Sequence, residues 1–274
     1  MPRKKKASKE DEKKKTVVHT KRKEVLDDEG WTHVIDAPNR KAKAEGLKAT
    51  PLLHGGDFVR DGVSYITRTV EELKQEFEHW KKQWDNGSAS SELMTLLEEE
   101  KQRRTIENVV FLGMGSLQNS RREGRRASAT QLAALQTILG ILGTEGKELE
   151  VVLQDPQFTE LDKEFLGGLG YKVVQDPRGF KEVEEGTLVY AIHCYVDIYK
   201  AISEGPRPAV LIGTDVGNFA RFESFEELEG VTKALDEMVE GCEVLDFPQV
   251  RHDFSDTKIY WRKTTTSTIE PPKP

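Results

Sequence analysis

From residue 108 to the start of the polar C-terminal tail, the chain repeats one unit. A short apolar run closes on a glycine or a small polar residue, and a capped amphipathic stretch follows. Asn108–Ser116 reads NVVFLGMGS, the pattern of a strand buried on both faces and ending in a tight turn. Leu149–Gln154, Tyr171–Val174, Thr187–Ile192 and Ala209–Gly213 are four further strands of this kind, and Glu243–Phe247 and Thr257–Trp261 complete the series. Between them lie helical stretches: Ser128 onward through Leu132, Leu135, Ile138 and Leu142; Thr159 onward through Leu161 and Phe165 to Gly170; Val196–Ile202; and Ser224 onward to Gly241. Strands alternating with helices at this spacing predict an α/β fold, a Rossmann-like doubly wound and mostly parallel sheet with helices on both faces.

Two helices are expected ahead of that sheet. Thr69 and Glu72 form a capping box, and Leu73, Phe77, Trp80 and Trp84 follow on one face. Asn86-Gly87-Ser88 ends this helix, and Ser91 to about Arg104 forms the second. Upstream, residues 1–65 are expected to be a mostly disordered basic tail interrupted by Gly30-Trp-Thr-His-Val34, with residues 35–65 mostly loop. The folded domain is placed at 66–265, and residues 266–274 at a disordered end.

Charge narrows the function classes. Residues 1–24 hold eleven Lys or Arg against four acids, while the whole chain carries −7, so the body is strongly acidic. Such a body is unsuited to the phosphate backbone of nucleic acid, where Lys and Arg supply most of the affinity. The clusters Lys4-Lys5-Lys6 and Lys21-Arg22-Lys23 serve either as a nuclear localisation signal or simply as solubilising charge. Two cysteines, Cys194 and Cys242, make no disulfide framework. With no apolar run near the roughly 20 residues of a membrane span, the expectation is a soluble intracellular protein of cytoplasm and nucleus, without a membrane.

In an open parallel sheet ligands bind at the carboxyl ends of the strands, where strand order reverses. Four such ends carry distinctive residues. Gly113 and Gly115 either let the backbone approach a phosphate or ribose, with Ser116 as a donor, or only build a tight turn. They make neither a dinucleotide fingerprint nor a P-loop, since the loop is expected to run on to Ser128. That loop holds Arg121, Arg122, Arg125 and Arg126, which either clamp an anion or lie in solvent. Asp155 either faces ribose hydroxyls or starts a turn with Pro156. His193 and Cys194 are the candidate catalytic pair, as an activated thiolate with its base, but adjacency seldom gives that geometry. Asp215 and Asn218, with Asp253 and Asp256, add polar groups to the same cleft or build turns. No spacing supports a metal site: His193 and Cys194 lack a CxxC or HxxxH partner.

Taken in order, the GMGS strand end, the Gln131-Leu-Ala-Ala-Leu135 helix, Asp155-Pro156, Leu166–Gly170 and His193-Cys194 resemble the SRR-like (sensitivity to red light reduced) domain family. The resemblance spans roughly residues 105–221; the later helix, the HDFSDTKIYW segment and GWTHV are similar to fungal members. Ala191-Ile192 stand where the family often has Met-Pro, and Gly213-Thr214-Asp215 where it often has Gly-Asn-Ser. The resemblance implies regulation: circadian and light signalling in plant members, heme-related regulation in animal ones, microtubule-drug resistance in yeast relatives. It brings no established catalysis.

The leading expectation is therefore a regulatory protein with protein partners and a cleft for a nucleotide-like ligand, bound by Gly113, Gly115, Ser116, Asp155 and Asp215. One alternative is an enzyme using S-adenosylmethionine or NAD; another is a scaffold contacting partners through its Trp80/Trp84 helix and basic tail.

Overall fold

The computed structural model describes residues 23–26, 32–35, 56–102, 105–143, 149–222 and 226–263. Most of the basic tail and the residues after Lys263 lie outside them. The chain divides into two compact units, residues 1–49 and 50–274. In the first, strands β1 (Lys23–Leu26) and β2 (Thr32–Ile35) pair antiparallel, with Lys23 opposite Ile35. Val25 and Leu26 in one strand and the β-branched Thr32, Val34 and Ile35 in the other give both segments strand propensity. The pair lies in a segment expected as unpacked tail and takes in part of GWTHV.

The second unit opens with a hairpin where loop was expected: β3 (Phe58–Arg60) and β4 (Val63–Tyr65). Its two-residue turn, Asp61-Gly62, has both residues at positive φ (50° and 79°), the twist that matches antiparallel strands. Helix α1 (Val70–Asp85) begins with the predicted capping box, and α2 (Ser88–Glu100) follows. Leu73, Phe77, Trp80 and Trp84 all point inward, each stabilising the fold by roughly 1.5–3 kcal/mol relative to exposure. The Trp84 indole donates to Thr137 Oγ1 at 2.9 Å. The aromatic stripe is thus core, and the scaffold reading loses this surface.

The sheet is formed by β5 (Asn108–Leu112), β6 (Glu150–Gln154), β7 (Lys172–Val173), β8 (Thr187–Ala191), β9 (Val210–Thr214), β10 (Cys242–Asp246) and β11 (Thr257–Arg262). Their order is β10-β11-β9-β8-β5-β6-β7. The five strands from β9 to β7 run parallel; β11 is antiparallel to both neighbours and inserts between β9 and β10. Both faces are covered. Val109, Phe111, Leu153 and Tyr190 join one core with α1, α2, α3 (Arg122–Leu142) and α4 (Glu160–Gly168). Val110, Leu112, Val152 and Leu211 join the other with α5 (Val196–Ser203) and α6 (Glu226–Val239). The doubly wound α/β fold is present as the sequence predicts. From β5 the chain builds outward through β6 and β7 on one side and through β8 and β9 on the other. The order reverses between β5 and β8, which is where a ligand cleft belongs.

One boundary moves substantially. Helix α3 begins at Arg122, well before Ser128, because its arginines find carboxylates to hold. Arg125 pairs with Glu76 of α1 at 3.2 Å and Arg126 with Asp253 at 2.8 Å. The four arginines are therefore not a free loop.

Candidate functional site

The turn after β5 sits at the reversal point. Gly113 and Gly115 both adopt left-handed φ (73° and 77°), which folds the chain back over the strand end. Each also faces a close neighbour. A β-carbon on Gly113 would lie 2.4 Å from Cys194 Sγ, and one on Gly115 would lie 3.0 Å from Ser128 Oγ. Ser128, expected to cap a helix, instead lies within α3 and donates to Met114 O at 2.7 Å. Gly113 is exposed and Gly115 half-buried, so part of this backbone stays open to an incoming group.

Asp155 follows the last residue of β6 and reaches across to this turn. One carboxylate oxygen accepts Gly115 N–H at 2.6 Å and the other accepts Gln157 N–H at 2.7 Å. Burial raises its pKa above the usual carboxylate range, against the pull of the two amides. A carboxylate has about four acceptor positions, so capacity remains for a hydroxyl donor. Gly115 and Asp155, forty residues apart, are thus brought together at neighbouring strand ends.

Ser116 corrects the sequence reading. It is fully buried, donates to Asp162 Oδ2 at 2.6 Å and accepts Gln118 N–H at 3.0 Å. It faces the protein, not the cleft. Its partner Asp162 carries no site signal in the sequence beyond its place three residues after Thr159, where it closes a capping box at the start of α4. Asp162 is fully buried and also accepts Leu117 N–H (3.0 Å), Thr159 N–H (2.8 Å) and Thr159 Oγ1–H (3.0 Å). Burial raises its pKa too, opposed by these donors. The residue anchors the glycine turn to the start of α4.

His193 and Cys194 part company. His193 is exposed at φ 53°, with Nε2 2.9 Å from Ser255 O. Cys194 turns inward over Gly113, its thiol 3.4 Å from Leu112 O. Burial, helped by the nearby Asp155 charge, pushes the Cys194 thiol up to about 12. It is therefore protonated at neutral pH, and a thiolate is what a nucleophilic cysteine needs. The two side chains have separate partners and do not form a nucleophile–base pair.

Asp215 is engaged in its own turn. Its Oδ1 accepts Gly217 N–H at 3.0 Å and Tyr260 O–H at 3.2 Å, starting the 3-10 helix Val216–Phe222. Asp253 is buried against Arg126 and does not open to the cleft. Beside them, the Tyr199 hydroxyl donates to Ala191 O and accepts Thr214 N–H, tying the ends of β8 and β9 together. Among the described residues no group of three His, Cys, Asp or Glu converges as a metal set, and no helix is long and apolar enough to cross a membrane.

The SRR1 domain profile matches residues 71–261, which take in the sheet and the two leading helices except for Val70 and Arg262 at their ends. No curated protein sequence matches the chain. Among solved structures, fibrillarin of Aeropyrum pernix, complexed with S-adenosyl-L-methionine, is similar at 11% identity and TM-score 0.32, over 57% of this chain and 66% of that one. The N-methyltransferase NodS of Bradyrhizobium japonicum is similar at 11% identity and TM-score 0.32, over 64% and 96%. At these values neither likeness transfers a function to this chain.

Proposed function

Because this chain belongs to the SRR1 domain family, we propose that it is a regulatory protein that senses an adenosine-type nucleoside ligand at the carboxyl ends of β5, β6 and β8. The observation that carries this reading is the Gly115–Asp155 contact across the ends of β5 and β6, beside the point where strand order reverses. The glycine turn offers open backbone, and Asp155 keeps acceptor positions free for ribose hydroxyls. The site is one for binding more than for chemistry, since the nearest nucleophile is a protonated thiol packed on the turn.

The signal read out, the protein partners and residence in cytoplasm and nucleus belong to the same proposal and rest on the family's regulatory character. The test is a thermal-shift panel of adenine nucleotides, nicotinamide dinucleotides, S-adenosylmethionine and heme on the full chain. A ligand at about 100 times its dissociation constant stabilises the fold by about 2.7 kcal/mol. A shift by adenosine-bearing ligands, lost in Asp155→Ala, supports the reading. A shift by heme alone would replace it.

A further inference from the structure

From the contacts of the β3–β4 hairpin, we infer that Arg60 and Tyr65 are positioning residues for the strand-end cleft: they hold the loop after β6 so that the Asp155 carboxylate is aimed at an incoming ligand. The inference rests on the reading of Asp155 as an acceptor for ribose hydroxyls. The hairpin lies ahead of residues 71–261, which the SRR1 profile matches, so it brings to the site something those residues do not contain.

The hairpin holds the three carbonyls that follow Asp155. Arg60 Nη2 donates to Pro156 O at 3.2 Å and to Phe158 O at 2.8 Å. The Tyr65 hydroxyl donates to Gln157 O at 3.2 Å. Pro156 O and the Gln157 N–H belong to one planar trans peptide and point in opposite directions. By holding that oxygen, Arg60 sets the direction of the N–H that Asp155 Oδ1 accepts at 2.7 Å. The other carboxylate oxygen accepts Gly115 N–H, and the chain leaving that glycine turn is sewn to the same hairpin. Ser120 N–H donates to Ser64 O at 2.9 Å, and Ile66 N–H to Gln118 O at 2.8 Å. One element thus fixes both loops that meet at Asp155. Its own side chains brace each other: the Arg60 guanidinium lies over the Tyr65 ring, 5.6 Å from its centroid, and Phe58 stacks on that ring with centroids 5.2 Å apart. A carboxylate already aimed gives up less freedom on binding, which raises affinity.

Two readouts on the full chain separate positioning from general support of the fold. Amide hydrogen exchange is measured without ligand, and Arg60→Met should speed exchange at Gln157 about tenfold or more while the β5 amides keep their wild-type rates. Calorimetry then compares adenosine with 2′,3′-dideoxyadenosine, which lacks the hydroxyls that Asp155 accepts. Arg60→Met should weaken adenosine about threefold to tenfold and leave the dideoxy analogue unchanged. Tyr65→Phe, which keeps the stacked ring, should act in the same direction to a smaller extent, and it carries the test if Arg60→Met does not fold. Wild-type exchange at Gln157, faster exchange throughout β5, or equal weakening of both nucleosides would each overturn the inference. A wild type that binds no adenosine would instead overturn the ligand reading, and exchange at Gln157 would still decide whether Arg60 aims Asp155.

Discussion

The amide of Gly115 donates to the Asp155 carboxylate at 2.6 Å, joining the turn after β5 to the end of β6 across forty residues of chain. Burial raises the Asp155 pKa, so the folded state holds this proton more tightly than the unfolded chain does. The stability contributed by its titration is full below the unfolded pKa and is lost as pH rises through the raised folded value. Asp155→Asn cannot titrate and leaves one of two amides without an acceptor, a cost of about 1–3 kcal/mol. Urea unfolding across a pH series should show the penalty of Asp155→Asn largest at acid pH and shrinking toward neutrality. A penalty that grows with pH would contradict the raised pKa.

Gly113 is held to glycine by its φ and by Cys194. Gly113→Ala should destabilise the protein by about 2 kcal/mol or more, from the left-handed backbone and the encounter with sulfur. In a Cys194→Ala background the same change should cost less, with a coupling of about 1 kcal/mol in a double-mutant cycle. Additive effects would mean that the two residues do not meet.

A thiol pushed up to about 12 reacts slowly. Alkylation of native protein at neutral pH, read by mass spectrometry, should modify Cys194 far more slowly than the same residue in denaturant. Rapid native labelling would reopen a nucleophilic role.

Asp162 accepts four hydrogen bonds at a fully buried position. Asp162→Ala strands the Leu117 and Thr159 amides and the Ser116 hydroxyl and should cost roughly 3–5 kcal/mol by chemical denaturation. Ser116→Ala should cost less, about 1–3 kcal/mol. The reverse order would mean that the anchor of the glycine turn lies elsewhere.

What the sequence makes legible follows physical range. The capping boxes Thr69–Glu72 and Thr159–Asp162, the positive-φ Gly170 and Gly241, and the buried strand runs are local signals, and the structure carries each of them. The β3–β4 hairpin was equally local: Asp61-Gly62 between Phe58-Val-Arg60 and Val63-Ser-Tyr65 is a strong turn signal, hidden by the charged surroundings. Other features depend on distant partners. Arg125 and Arg126 read as loop because Glu76 and Asp253 lie 49 and 127 residues away. Ser116 faces inward because Asp162, 46 residues on, is buried beneath it. At the site, the placing of Gly115 and Asp155 at strand carboxyl ends was legible from the alternation of elements, whereas their direct contact and the divergence of His193 and Cys194 were not. Two neighbours at a strand end share the cleft or split according to what packs on them, and here Leu112, Gly113 and Ser255 decide it.

The central claim is that the turn after β5 and Asp155 together hold an adenosine-type ligand. Calorimetric titration of adenosine into the full chain, beside Asp155→Ala shown to be folded, tests it most directly. The account predicts saturable one-site binding to the wild type, weakened about tenfold or more in the variant, as expected for loss of a charged acceptor. No heat of binding, or equal affinity in both proteins, would contradict it.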